Sequence, residues 1–125
     1  MSRAPAEIAR EGLEAWRHGD FETIERILDP AVEWNWFEPG DWDCRGRSEV
    51  MQTLRDRYAQ GFAEGELEFR DAGPEAVIVV AQPSRIGGPE WPAETATVLR
   101  FRGERVVSMQ DFPTAAEALA AVEQT

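Results

Sequence analysis

Apolar residues in the first thirty positions recur at helical spacing. In APAEIAREGLEAWRHGD, Ile8, Leu13 and Trp16 share one side with the small Ala9 and Gly12, and Pro5 suits the first turn of a helix. His18-Gly19 ends that helix. Asp20 then caps a second one with Phe21, Ile24, Ile27 and Leu28 on a single stripe, which Asp29-Pro30 stops because a residue before proline avoids the helical region. From Ala31 the period falls to two. Val32, Trp34 and Trp36 point one way and Glu33 and Asn35 the other, as in a half-buried strand, and Pro39 and Gly40 break it.

From Gly46 to about Gln60 the pattern predicts a third helix, with Val50, Met51, Leu54, Tyr58 and then Phe62 on its apolar side and Glu49, Arg55, Asp56 and Arg57 on the other. The remainder reads as strands. Leu67 and Phe69 alternate with Glu66, Glu68 and Arg70; EAVIVVAQPSR is nearly continuous apolar strand; ETATVLRFRG and ERVVSMQDF follow across a tight turn at Arg102-Gly103-Glu104. Thr114 with Glu117 three residues on is a capping box, opening a last helix through Leu119 and Val122. The buried surface is expected to include Trp34, Leu54, Tyr58, Leu67, Phe69, Val79, Leu99 and Phe101. Val77 and Val79 alternate with Ile78 and Val80, so the sheet is apolar on both faces and a second copy of the chain is expected to cover the one the helices leave free.

A length of 125 residues suits one domain, residues 1–125, with one core. The formal charge of -11 repels phosphate backbones and anionic lipid, which argues against nucleic acid or membrane as partners. The longest apolar run, Ala76 to Ala81, is far too short to cross a bilayer, and a cytoplasmic location is expected. All thirteen basic residues are arginine, which removes Schiff-base chemistry on lysine. One cysteine, Cys44, and one histidine, His18, make neither a disulfide nor a thiol–imidazole metal site nor a Ser-His-Asp triad. Cys44 reads as a small packed residue, His18 as a helix-end residue, and Glu38, Asp41 and Asp43 as a solvated loop rather than a metal site. No metal and no cofactor are expected.

The element order α-α-β-α-β-β-β-β-α, with GDFETIERILDPAVEW at the front and RGRSEVMQTL behind it, resembles the nuclear transport factor 2-like superfamily, and within it the SnoaL-like branch. The resemblance implies an α+β cone: a curved, mixed but mostly antiparallel sheet wrapped around three helices from the N-terminal half, with a short C-terminal helix and a cavity between helices and sheet. It also implies a homodimer. Against the ketosteroid isomerases of the superfamily, Trp34, Gly12 and Thr97 fall at the three catalytic positions, and none can do the corresponding work. Against the polyketide cyclases, QDFPT resembles the terminal motif and puts Asp111 at the catalytic aspartate, while Thr97 stands where those enzymes carry a histidine.

Asp111 is therefore the candidate general acid or base, and an apolar setting would raise its pKa toward neutrality. Its structural alternative is to cap the last helix or to pair with an arginine such as Arg100. The resemblance puts Trp34 and Trp36 on the cavity side with Tyr58 and Phe62, Trp16 coming from the first helix and Trp42 and Trp91 closing the mouth from loops; Thr97 and Gln110 could orient a carbonyl or hydroxyl. The five indoles could equally fill the cone as core. Three functions compete: a cofactor-free lyase, isomerase or cyclase acting on a small apolar, cyclic or carbonyl-containing compound; a non-catalytic binding module for such a molecule; and a dimeric adaptor.

Overall fold

The computed structural model describes residues 3–38, 40 and 42–123. Helices α1 (Pro5–Arg17) and α2 (Phe21–Ile27) are followed by strand β1 (Leu28–Asn35), a two-residue strand β2 (Cys44–Arg45) and helix α3 (Arg47–Ala59). After a 3-10 turn at Phe62–Glu64 come β3 (Leu67–Asp71), β4 (Ala76–Ala81), a one-turn helix α4 (Ser84–Gly87), β5 (Thr95–Arg102), β6 (Arg105–Phe112) and α5 (Ala115–Glu123). Asp20 caps α2 as expected, its side chain accepting from Thr23 N–H, and the Thr114 hydroxyl takes Glu117 N–H at the start of α5. Pro39 and Asp41 lie outside the described residues.

Six strands form one sheet in the order β2-β1-β6-β5-β4-β3 among these residues. Every neighbouring pair is antiparallel except β1 and β6, which run parallel. The parallel pair is what brings distant segments together: Trp34 lies beside Met109 and Asn35 beside Gln110, 75 residues apart in each case. The order and class are the α+β cone expected from the sequence, with β2 and α4 as small additions.

Helices α1, α2 and α3 pack on one face of the sheet, where Ile8, Ile24, Ile27, Val32, Val50, Val77 and Phe101 form the main core. The other face carries a second cluster. Ile78, Val80, Ala96 and Val98 are buried beneath Ala118 of α5, with Ala115, Val122 and Phe112 around them. The outer-face residues of β4, Ile78 and Val80, are thus covered by α5 of the same chain. Leu119 is 44% exposed, at the edge of the face on which Ala115, Ala118 and Val122 meet the sheet.

Of the residues expected to be buried, Phe101 is sealed, whereas Trp34, Leu54, Leu67, Phe69, Val79 and Leu99 are only half-buried. The reason is geometric. These six line a hollow on the concave side, while their outward neighbours Ile78 and Val98 lie under a helix. Tyr58 is a correction: it is exposed, its ring set edge-on to Phe21 at 5.4 Å. Cys44 is buried as a packed residue, its thiol 3.2 Å from the Thr53 hydroxyl.

Candidate functional site

The hollow between α1, α2, α3 and the concave sheet face is a cavity of about 470 Å³. Its walls are apolar for the most part. Ile8, Gly12, Leu13 and Trp16 come from α1, Ile24 and Ile27 from α2, Leu54 from α3, and Phe69, Val79, Leu99, Val106 and Met109 from the sheet. Trp16 also fixes the wall, because its indole N–H donates to the Leu54 carbonyl at 2.9 Å and ties α1 to α3. Arg17, at the end of α1, donates to the carbonyls of Ala63 (3.2 Å) and Gly65 (3.0 Å) and so holds the 3-10 turn that carries Phe62 into the cavity.

Asp111 stands in this wall, 4% exposed. On β6, Met109 and Asp111 point inward by strand alternation, and on β5 Thr97 lies directly opposite Asp111. The Thr97 hydroxyl donates to Asp111 Oδ1 at 2.5 Å and the Trp34 indole N–H donates to Oδ2 at 2.9 Å. Removal from water pushes the Asp111 carboxyl up to about 6; the two donors, which favour the charged form, hold it from going further, and Asp43 adds a small repulsion. Neither structural alternative applies. Among the described residues no arginine pairs with Asp111, Arg100 sits opposite Ser108 on the strand positions of the other face, and α5 is capped by Thr114 and by the Glu94 carboxylate, which accepts from Ala115 N–H.

The remaining candidates divide. Trp34, Trp36, Phe62, Trp91 and Thr97 line the cavity with Asp111; Trp42, Tyr58 and Gln110 do not. Gln110 neighbours Asp111 on a strand and must face the other side, where its amide donates to the carbonyls of Trp36 and Asp111 and joins the ends of β1 and β6. Tyr58 and Phe62 were expected on one helical line, but α3 ends at Ala59 and Gly61, at a φ of 90°, turns the chain left-handed before Phe62. Trp42 is 57% exposed and belongs to the rim: it packs 6.1 Å from Trp36 and 6.0 Å from Trp91, and Trp91 in turn lies 4.7 Å from Phe62. Asp43 is not simply solvated, since its carboxylate accepts Trp36 N–H at 2.8 Å and closes the loop behind β1. Among the described residues no group of acidic, histidine or cysteine side chains is arranged to hold a metal.

One lining residue departs from the sequence reading altogether. Arg57, assigned to the solvent side of α3, lines the cavity mouth. It follows Val50 and Leu54 at i+7 and i+3, so spacing alone would have put it on the inner face; its charge suggested otherwise. The guanidinium lies 5.0 Å over the Trp42 ring and 4.9 Å over the Trp91 ring.

A cone of helices and curved sheet around an apolar cavity, with Asp111 the one buried acid among the described residues, defines the class. The chain belongs to the SnoaL-like domain family, whose model matches residues 9–109. Among solved structures it is similar to an NTF-2 like protein of unknown function from Burkholderia xenovorans, at 22% identity and a TM-score of 0.63 over 85% of this chain and 79% of that one. It is also similar to an uncharacterized cystatin fold protein from Novosphingobium aromaticivorans, at 15% identity and a TM-score of 0.64 over 88% of this chain and 98% of the other. A de novo designed protein with a curved β-sheet matches as well, at 16% identity and a TM-score of 0.65 over 99% and 98%. That a designed chain shares the architecture shows how little the fold alone says about chemistry. No curated protein matches the sequence. Among the described residues no helix is long and apolar enough to cross a membrane.

Proposed function

We propose that the cavity takes up a small apolar, cyclic or carbonyl-bearing molecule and that Asp111 acts on it as a cofactor-free general base. The observation that carries this is a carboxyl buried in a wall of aliphatic and indole side chains and poised near neutrality. Above pH of about 6 the carboxylate is ionised and can remove a proton from the carbon next to a carbonyl, becoming the neutral acid as the carbonyl becomes an enolate; returning the proton to another position completes an isomerisation, and attack by the enolate carbon on a second carbonyl closes a ring once the alkoxide so formed takes the proton back from Asp111. Thr97 and Trp34 hold the carboxyl in one orientation throughout.

The test reads proton abstraction itself, whichever product follows from it. Wild-type protein in D2O with 2-tetralone or 1-indanone should accelerate exchange of the α-hydrogens for deuterium, followed by NMR, and Asp111→Asn should not, while calorimetry shows the ketone bound by both. Equal exchange in the two proteins would defeat the role of Asp111.

A second reading, a carrier that binds the same class of molecule without reaction, is favoured by one observation. Both oxygens of Asp111 already accept hydrogen bonds, from Thr97 and Trp34. Binding without exchange would select it.

A further inference from the structure

Arg57 is out of keeping with the rest of the cavity. It is half-buried, its side chain lies along the aromatic rim, and burial lowers its pKa, so it bears a desolvation cost that a surface arginine avoids. Among the described residues no carboxylate lies within ion-pair distance of it. Its sequence neighbour Asp56 accepts from Gln52 instead, and of the five guanidinium N–H groups one is used on the Gln60 amide oxygen at 3.2 Å. The Trp42 and Trp91 rings restrain the group by cation–π contact at 5.0 and 4.9 Å. A second arginine, Arg85 of α4, joins it in the lining, also with no carboxylate in ion-pair distance among the described residues, against the single rim carboxylate of Glu66. The lining as a whole holds two arginines and two acids, Glu66 and the deep Asp111, in a chain whose formal charge is -11.

Resting on the reading that the cavity binds a small apolar molecule, the geometry points to a more definite ligand class: an organic acid, with its apolar ring or chain inside the cone and its carboxylate at the mouth on Arg57. A planar guanidinium packed at about 5 Å against two indoles that themselves meet edge-on is restrained on one side and free on the other for the two parallel hydrogen bonds a carboxylate accepts, so less side-chain freedom is lost on binding than at an open surface. An uncharged ligand leaves these donors to water at a partly exposed mouth, whereas a carboxylate receives them through charge-assisted hydrogen bonds. The polarity of binding follows as well. Asp111, deep and nearly sealed, meets the apolar end of the ligand, while the anionic end stays at the partly exposed rim and away from a second negative charge.

The experiment compares 2-naphthoate with its neutral methyl ester by isothermal titration calorimetry at pH 8, which does not depend on the tryptophans that surround Arg57. Wild-type protein should bind the acid about tenfold more tightly than the ester, the value of a charge-assisted pair at a partly wet site, and the advantage should shrink as salt is added. Arg57→Gln should bring the acid to the level of the ester and leave the ester where it was; Arg57→Lys should recover part of the loss, since it restores the charge without the fork. Equal binding of acid and ester by wild-type protein, or an Arg57→Gln effect of the same size on both, would overturn the carboxylate assignment while leaving the apolar cavity reading intact. Binding of neither compound would overturn both. The comparison of the two ligands on wild-type protein decides the matter even where a variant fails to fold.

Discussion

Thr97 and Asp111 face each other across β5 and β6, and the threonine hydroxyl donates to the carboxyl over 2.5 Å. This bond opposes desolvation, since it stabilises the charged form that burial disfavours. Thr97→Val should therefore push the Asp111 carboxyl above about 6 and, at pH 8 where the group is ionised, lower stability by about 1 to 3 kcal/mol. The Asp111 Cγ resonance, followed by NMR across pH, reads the first effect; an unmoved or lowered midpoint would show that the hydroxyl does not act on the carboxyl.

Asp111→Asn should make the protein more stable at neutral pH. The carboxyl is raised from its ordinary 3.8 to about 6, so between those values the native state holds a proton that the unfolded chain has released. Stability from this group falls as pH rises through that window and stays low above it, by an amount on the order of 3 kcal/mol. Asparagine removes the penalty, and its amide can still accept from Trp34 and donate to Thr97 oxygen. The difference in urea midpoint between variant and wild type should grow from pH 4 to 7 and then level off. A constant difference would contradict the raised pKa.

Gly87→Ala should open the rim. A methyl group there would fall inside contact distance of the Trp91 ring, which lies over Gly87 with no room to spare, so the indole must leave its place between Phe62 and Trp42. Overpacking of this kind costs about 1 to 3 kcal/mol. Tryptophan emission should shift to the red with the newly wet indole, and an unchanged spectrum with unchanged stability would mean the loop carries Trp91 aside without loss.

Removal of the chain from Ala115 onward should convert the outer sheet face into a sticky surface. Ile78, Val80, Ala96 and Val98 would lose the cover of Ala118. Sedimentation should show greater self-association than for the full chain at the same concentration. If both sediment alike, another element must cover these residues.

How much of this is legible in the sequence follows from the range of the forces involved. Helices, strands and the aspartate and threonine caps are written in spacing over three to eight residues, and that is why α1 to α3, β3 to β6 and α5 appear close to where apolar periodicity puts them, whereas β1 already begins at Leu28, which the helical stripe of α2 had claimed. Strand alternation even separates Asp111 from Gln110, two candidates that cannot share a face, and helical spacing puts Arg57 beside Leu54 despite its charge. Other features depend on contacts that no local pattern encodes. The parallel pairing of β1 with β6 sets Trp34 against Asp111 across 77 residues, α5 folds back over Ile78, Val80, Ala96 and Val98 on the outer face, and Gly61 turns Phe62 inward while Tyr58 stays outside. A side chain's period says which way it points from its own backbone; what it meets there is decided by which distant segment packs opposite, and here that is what makes a widely used architecture into a cavity with Asp111 in its wall and Arg57 at its mouth.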